Sequence, residues 1–199
     1  NGACSDTMES DGRYMMENNY GDSKALLHWC LARKTPLVYA SSAATYGASA
    51  DFEPVPANEG PLNVYGYSKL AFDQHVRSLM PAIQSPVVGL RYFNVFGPRE
   101  HHKGRMMSVL HQLLRQLKET GACRLFKGTD GFGDGEQQRD FVFVGDIVAI
   151  NLHFGSAGMA KTIVVGLPEL AVRESVHRIE RALANLNYER PKGRVVINL

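Results

Sequence analysis

A tyrosine and a lysine four residues apart are the residues of this sequence best suited to transfer a proton. They are Tyr65 and Lys69, in the segment PLNVYGYSK of residues 61–69. In a helix, residues four apart lie on one face, so the phenol and the ammonium would be neighbours. An unperturbed tyrosine has a pKa of about 10, and a nearby cation lowers that pKa by favouring the phenolate. The pair could therefore exchange a proton with a substrate hydroxyl, although the same spacing also occurs in ordinary surface pairs.

Polar residues at the ends of two predicted strands favour the catalytic interpretation. Ser42 belongs to a cluster of hydroxyl groups that follows a predicted strand at 36–41, and Asn94 follows a second predicted strand at 86–92. Ligands of open parallel sheets bind beyond the carboxyl ends of the strands. We therefore expect Ser42, Tyr65 and its lysine to surround one cavity at that edge of the sheet.

Strands and helices alternate along the chain, which predicts an α/β fold with a parallel sheet. Short apolar runs indicate buried strands, and apolar residues at helical spacing indicate the helices between them. The predicted elements, in order, are helix 24–33, strand 36–41, helix 64–79, strand 86–92, helix 106–117, strand 140–144 and a helix from residue 145. A Gly-rich segment at 121–135 interrupts the alternation.

Composition excludes several classes of protein. The 199 residues carry 22 Lys+Arg against 20 Asp+Glu, a net charge of +2, which gives no support to a nucleic-acid or membrane-surface partner. No run approaches the roughly 18 apolar residues of a membrane span, and the first residues lack the pattern of a secretory leader. Cys4, Cys30 and Cys123 lie far apart, which argues against a disulfide framework. We therefore expect a cytoplasmic protein with reduced thiols.

A different sequence pattern begins near residue 155, where we expect a domain boundary. Small residues there separate the α/β pattern from a strand-like segment at 162–165 and a helix with an apolar stripe over 172–186. A last strand is predicted at 194–199. Because the chain starts with Asn and stops within that strand, both of its ends are expected to be truncated.

Together, the signals at Ser42, Tyr65 and Lys69 resemble the extended short-chain dehydrogenase/reductase superfamily, which contains the NAD-dependent epimerases and dehydratases of nucleotide sugars. Four motifs resemble, more narrowly, its ADP-L-glycero-D-manno-heptose 6-epimerase family over about residues 1–154. They are GACS at 2–5, YMMENNY at 14–20, GPREHHKG at 97–104 and QRDFV at 138–142. The resemblance implies a Rossmann-type parallel sheet, a bound NADP or NAD, and a homo-oligomer. It also implies ADP-heptose as the substrate, whose C6'' hydroxyl is oxidised to a carbonyl and reduced again on its other face.

The same resemblance assigns roles to individual residues and implies no metal. It assigns catalysis to Ser42, Tyr65, Lys69 and Lys103. It assigns contacts with the cofactor to Ala3, Cys4, Ser5, Asn18, Lys69 and Val95. It assigns contacts with the substrate to Ser42, Asn94, Phe126, Lys127, Gly128, Thr129 and Arg139.

Lys103 and Arg139 each have a structural alternative. Inversion presents the substrate oxygen in two orientations, and one fixed side chain does not stay within hydrogen-bond reach of both, so a second acid/base group such as Lys103 is expected. On spacing alone, Lys103 is a solvated loop lysine beside His101 and His102, and adjacent histidines without a Cys or acidic partner do not predict a metal site. Arg139 can bind a diphosphate bidentately, or it can pair with a nearby aspartate.

Three features depart from the family pattern. The glycine fingerprint G-x-x-G-x-x-G, which lets a helix N-terminus approach a pyrophosphate, does not occur in this sequence, and neither do the first strands of the sheet. Arg105 and Gln112 replace a small or polar residue and a His. Residues 158–199 resemble instead the N-terminal region of magnesium-chelatase-like AAA ATPases of the competence-related type, without a Walker motif.

We interpret the chain as two joined coding sequences, with a diverged epimerase C-terminal domain as the alternative. The first functional hypothesis is a catalytic-region fragment of a sugar-nucleotide epimerase, and the second is a non-catalytic chimera without cofactor binding. Because most cofactor affinity comes from the pyrophosphate cradle and the adenosine pocket, residues 1–199 alone are expected to bind NADP weakly or not at all, and to show no epimerase activity.

Overall fold

The computed structural model describes residues 3–129, 131–137, 139–156 and 163–166, the last segment by its backbone. The helix expected over 172–186 and the strand expected at 194–199 lie outside the described residues. Most of the segment that resembles magnesium-chelatase-like proteins lies outside them as well.

Five strands in the described residues form two parallel sheets. The strands are β1 Leu37–Ser42, β2 Val87–Tyr92, β3 Asn94–Phe96, β4 Phe141–Phe143 and β5 Ile163–Gly166. The larger sheet has the order β1-β2-β5, with Leu37 opposite Val87 and Ser42 opposite Tyr92. The smaller sheet pairs β3 with β4. The predicted α/β fold with a parallel sheet is therefore confirmed.

The predicted helices occur in the expected order, and all of them except α3 have shifted ends. The α-helices are α1 Gly12–Met15, α2 Asp22–Ala32, α3 Val64–Leu79, α4 Val109–Thr120 and α5 Val144–Ser156. A π-helical segment, Met16–Gly21, joins α1 to α2. Short 3-10 segments lie at Ala43–Thr45, Pro56–Asn58, Met80–Ala82 and His101–Met106. No helix in the described part of the chain is long and apolar enough to cross a membrane.

Helices cover both faces of the larger sheet. One face forms a core with α2 and α3, made of Leu27, Cys30, Leu37, Phe72, Val76 and Val87. Side chains alternate along a strand, so the next residues of β2 point to the opposite face. There, Tyr92 accepts a 2.6 Å hydrogen bond from Asn151 of α5. Burial on both faces explains why β2 reads as a continuous apolar run.

The first turn of α3 lies directly against the end of β1. Asn63 caps this helix, because its side chain accepts a 2.7 Å hydrogen bond from the Gly66 amide. A Cβ atom on Gly66 would lie 2.6 Å from the carbonyl oxygen of Ala44, so only glycine permits this approach. The glycine therefore brings the preceding residue, Tyr65, close to Ser42.

The helix predicted over 106–117 begins later than the apolar spacing suggested. Gly104 has a φ of 56°, which breaks the 3-10 segment His101–Met106, and α4 starts only after Ser108. The Ser108 hydroxyl accepts from the amide of His111 and caps the helix. The apolar spacing continues through residues 106–108, but Gly104 and the Ser108 cap determine that the helix begins at Val109.

Candidate active site

Ser42, Tyr65 and Lys69 lie together at the carboxyl end of β1. The Lys69 Nζ atom is 5.8 Å from the centre of the Tyr65 ring and donates a 3.3 Å hydrogen bond to the Ala40 carbonyl. The Ser42 hydroxyl lies close enough to the Tyr65 phenol to lower its pKa. It also accepts a 3.1 Å bond from the Ala44 amide, which fixes its orientation. The arrangement is that of a hydroxyl, a phenol and an ammonium that share one site.

The pKa of Tyr65 moves in the direction opposite to the one expected from its spacing to Lys69. Burial raises this pKa, and a nearby Cys4 thiol adds to the effect, while the Ser42 hydroxyl lowers it. Burial also lowers the pKa of Lys69, although Asp73 opposes the change. The lysine points at a carbonyl rather than at the phenol oxygen. The expected lowering by Lys69 is therefore wrong for this geometry, and Tyr65 is a protonated phenol at neutral pH.

A buried ion network supports the strand ends below this site. Asp73 of α3 is fully buried and accepts hydrogen bonds from Tyr39 at 2.9 Å, Ser41 at 2.8 Å and Arg91 Nε at 3.0 Å. Burial raises the pKa of Asp73, and the guanidinium and the two hydroxyls oppose that change. The network ties α3 to the ends of β1 and β2. Sequence spacing gave no sign of it, because its members come from three separate elements.

Glu59 extends this network towards solvent. Its carboxylate pairs with the buried Arg91 and with Arg77, whose side chain is 22% exposed. Two carboxylates and two guanidinium groups therefore balance their charges. Such balance is what allows ionised groups to remain buried.

Asn19, which the sequence motifs did not identify as a site residue, holds the loop at residues 3–6 against α3. Asn19 is buried, and its side chain accepts a 2.7 Å bond from the Cys4 amide and donates to the Cys4 carbonyl and to Ser68. Asn18, the residue expected to contact the cofactor, donates a hydrogen bond to the carbonyl of Tyr14 at 2.8 Å. Asn19 thus brings Cys4 close to Tyr65.

Lys103 is placed by a different set of contacts. Its ammonium is 3.6 Å from the buried Glu100 carboxylate, and its side chain is 44% exposed. Burial opposes the ionised form of Glu100, but hydrogen bonds from Ser108 and Gly97, together with Lys103, lower its pKa below the ordinary value. Lys103, the second candidate acid/base group, therefore has a solvent-accessible ammonium that is ion-paired with Glu100, and hydrogen bonds hold the Glu100 carboxylate in place.

Arg105 and Gln112, which depart from the family pattern, have defined contacts. Arg105 forms an ion pair with Asp6, which connects the loop of Cys4 to the segment of Lys103. Gln112 donates to the carbonyls of Arg105 and Met107. Both residues that differ from the family pattern therefore form polar contacts within this structure.

The remaining predicted substrate residues lie on other segments. Asn94 and Val95 belong to β3, and the Asn94 side chain donates to the Asp140 carbonyl at 2.9 Å. The predicted substrate residues of the Gly-rich segment lie on one loop, and all of them are exposed except the half-buried Gly128; these residues are Phe126, Lys127, Gly128 and Thr129. In this loop the Gly128 amide donates to the Asp134 carboxylate, and the Gln137 side chain donates to the Lys127 carbonyl. Ala3, Ser5 and Arg139 are exposed as well.

Comparison with known proteins identifies two families along the chain. The NAD dependent epimerase/dehydratase family matches residues 2–166, and the family described as Subunit ChlI of Mg-chelatase matches residues 150–199. The chain is 60% identical over 151 residues to an ADP-L-glycero-D-manno-heptose-6-epimerase of Alkalilimnicola ehrlichii, which covers 76% of this chain and 47% of that protein. The chain therefore spans about half the length of this curated relative.

Solved structures agree with the sequence matches. The crystal structure of the Helicobacter pylori ADP-L-glycero-D-manno-heptose-6-epimerase superposes with a TM-score of 0.73 at 33% identity, over 98% of this chain and 59% of that one. The UDP-glucose 4-epimerase of Brucella ovis, in complex with NAD, has a TM-score of 0.68 at 25% identity, over 90% and 60% of the two chains. From its family match, its parallel sheet and the Ser42, Tyr65 and Lys69 cluster, the chain belongs to the NAD dependent epimerase/dehydratase family.

Proposed function

We propose that residues 3–154 supply the catalytic residues of an ADP-heptose 6-epimerase that uses NADP. The observation that carries this proposal is the cluster of Ser42, Tyr65 and Lys69 at the carboxyl end of β1. The 60% identity to the Alkalilimnicola ehrlichii enzyme supports ADP-heptose over other sugar nucleotides.

A nicotinamide cofactor would accept a hydride from the sugar and return it, and the residues present fit such a group. The Lys69 ammonium has three donors, and the structure describes one of them on the Ala40 carbonyl. Its other donors can bind the hydroxyls of a ribose. The loop of Cys4, fixed by Asn19, lies beside the same lysine. The family uses NAD, and NADP is our proposal from the family resemblance alone.

Tyr65 would exchange the proton that accompanies oxidation and reduction of the sugar carbon. The Ser42 hydroxyl, held by the Ala44 amide, orients the substrate oxygen towards the phenol. Oxidation of the sugar hydroxyl releases a proton, so Tyr65 would act as a base in that direction and as an acid in the reduction of the carbonyl. Because burial raises the pKa of Tyr65, it would serve as this base only when a bound cation lowers the pKa.

Lys103 is proposed as the acid/base group for the second orientation of the substrate. Its exposed ammonium sits on Glu100, and the Asp6–Arg105 ion pair connects its segment to the loop near Tyr65. Asn94 and Arg139 are proposed to bind the sugar nucleotide. A homo-oligomer in the cytoplasm remains part of this proposal.

A segment graft tests the proposal directly. Residues 3–154 would replace the matching segment of the Alkalilimnicola ehrlichii enzyme, and conversion of ADP-D-glycero-D-manno-heptose into its C6'' epimer would be followed by NMR. We expect turnover, and we expect Tyr65→Phe and Lys103→Met each to lower kcat by about a hundredfold or more while the protein stays folded.

Tyr67→Phe is the matched control, because Tyr67 lies on the same helix and its side chain is 57% exposed. This control should keep normal turnover. A folded graft that lacks activity, or that loses none in Tyr65→Phe, would contradict the catalytic role.

One observation, the match of residues 150–199 to the Mg-chelatase family, favours the alternative that the chain is a non-catalytic chimera. We propose that the two families join near residue 155, within the overlap of the two matches at 150–166. The chain would then be a chimera whose C-terminal part takes no part in epimerisation. Nucleotide reads that cross codons 150–166 in the source genome test whether the two parts belong to one gene. A continuous reading frame supports a natural fusion, and a break in the frame refutes a natural fusion.

A further inference from the structure

The carboxylate of Asp73 holds the two residues of β1 that flank Ala40. Its Oδ1 atom accepts a hydrogen bond from the Tyr39 phenol at 2.9 Å, and its Oδ2 atom accepts one from the Ser41 hydroxyl at 2.8 Å. The Ala40 carbonyl between them is the acceptor of Lys69, which lies one helical turn before Asp73 on α3. Two residues on one helix face therefore bind three consecutive residues of one strand.

We propose that Asp73 is a positioning residue of the epimerase site, which holds the end of β1 so that the Ala40 carbonyl directs the Lys69 ammonium. This inference rests on the proposed function, in which Lys69 binds the ribose of the cofactor. Asp73 acts through the strand and takes no part of its own in proton transfer. The carboxylate thus serves the site as well as the stability of the fold.

Gly89 of the neighbouring strand leaves room for Tyr39 to reach Asp73. Tyr39 lies opposite Gly89 of β2, and a Cβ atom on Gly89 would lie 2.4 Å from the phenol oxygen. The Phe72 ring packs edge-on against the Tyr39 ring, with 4.7 Å between the ring centres. Burial and the Asp73 charge raise the pKa of Tyr39 well above its ordinary value, so this phenol remains a hydrogen-bond donor. The glycine, the ring contact and the protonated phenol therefore all favour the bond to Asp73.

The Asp73 carboxylate keeps its charge partner when its bonds to β1 are removed. Arg91 of β2 contacts the Oδ2 atom through Nε at 3.0 Å and through Nη2 at 2.9 Å. Tyr39→Phe and Ser41→Ala therefore remove the two hydroxyl bonds without leaving a buried charge unpaired. Each single variant leaves the other bond in place, so the double variant is the informative one.

NMR of the Lys69 ammonium in the 199-residue chain tests the positioning directly. A half-buried ammonium with a hydrogen bond exchanges its protons slowly enough to give a ¹H–¹⁵N signal, which is assigned by its loss in Lys69→Arg. In the double variant Tyr39→Phe/Ser41→Ala, we expect this exchange to accelerate about tenfold, as the loss of one hydrogen bond to a charged group implies. Arg77→Met is the matched control, because Arg77 lies on the same helix and pairs with Glu59, and it should leave the exchange rate unchanged.

Steady-state kinetics of the active graft separate this role from a general effect on folding. In the double variant, we expect kcat to fall about tenfold while KM for ADP-heptose changes less than about twofold, because Lys69 acts on the cofactor. In a Lys69→Met background, the same two substitutions should lower kcat no further, since their effect passes through the lysine. Arg77→Met should keep the parent kcat, and circular dichroism would verify that each variant is folded.

The two measurements can fail separately from the proposed function. Unchanged exchange in the double variant, or no Lys69 signal in the unmodified chain, overturns the proposal whether or not the graft is active. In a graft that turns over, an unchanged kcat, or a loss that adds to that of Lys69→Met, overturns it as well. A graft without turnover contradicts the proposed function alone, and the exchange rate then decides whether Asp73 positions Lys69.

Discussion

Removal of the buried positive charge of Arg91 is expected to be among the most destabilising single substitutions in the described part of the chain. Arg91 is fully buried, and its guanidinium lies 2.9 Å from the fully buried Asp73 carboxylate and also pairs with Glu59. Arg91→Met leaves Asp73 buried without its cation. Breaking a buried ion pair in this way costs about 3–5 kcal/mol in the free energy of unfolding. For a chain of this size, that cost lowers the melting temperature by about 6–20 °C.

The loss of stability caused by Arg91→Met should increase as the pH rises. Burial already raises the pKa of Asp73 above its unfolded value, and loss of Arg91 raises it further. A carboxyl group with a raised native pKa stabilises the fold below its unfolded pKa, and that contribution is lost as the pH rises through the native pKa. Arg91→Met should therefore be more destabilising at about pH 8 than at about pH 5.

Thermal and urea unfolding, followed by circular dichroism at both pH values, measure this effect. Arg77→Met is the matched control, because Arg77 contacts the same Glu59 but is partly exposed, and its loss should cost about 1 kcal/mol or less. Asp73→Asn in the Arg91→Met background should recover stability at the higher pH, since it removes the unpaired charge. Equal costs for Arg91→Met and Arg77→Met, or a cost that is independent of pH, would refute the reasoning.

Two further substitutions test the geometry around the candidate site. Ser42→Ala should raise the pKa of Tyr65 further, because the Ser42 hydroxyl is the group that lowers it; NMR titration of the labelled tyrosine ring measures the shift. Gly66→Ala should destabilise the fold by about 1–3 kcal/mol although alanine favours helices, because the new methyl group would lie 2.6 Å from the Ala44 carbonyl oxygen. Urea unfolding measures that cost.

Each of these predictions has a control in the same structure. Ser41→Ala removes a hydroxyl that donates to Asp73, so it should leave the pKa of Tyr65 unchanged. Gly155→Ala adds a methyl group in α5, where no atom of the described residues outside the adjacent helix backbone lies within 4 Å, and it should be neutral or slightly stabilising. A Tyr65 pKa that falls in Ser42→Ala, or a Gly66→Ala variant as stable as the parent, would be evidence against the described packing.

The sequence predicts those elements whose signals are local. Helix α3 begins and ends where expected, at Val64 and Leu79, because Asn63 caps it and an apolar stripe runs along it. Strand β2 differs from its prediction by one residue, since a β-branched apolar run marks a strand buried on both faces. The juxtaposition of Ser42 and Tyr65 also follows from the rule on strand ends.

Features that depend on distant partners could not be predicted. Asp73 and Arg91 are 18 positions apart on different elements, and only the packing of α3 on the sheet brings them together. The direction of the Tyr65 pKa shift depends on burial, which spacing does not specify. Near Asn19, the π-helical segment Met16–Gly21 alters the helix phase, so spacing rules for α-helices do not show which side chain turns inward.

The bonds of Asn19 have a consequence for how this protein can change in evolution. Its amide group accepts from the Cys4 N–H and donates to the Cys4 C=O, as a residue of a neighbouring antiparallel strand would do. The loop is thus anchored through main-chain atoms, which every residue except proline supplies. Side chains at positions 3–5 can therefore diversify towards new ligands while the loop keeps its place. Selection for the shape of the loop acts instead on position 19, where aspartate has no amide donor to replace that of Asn19.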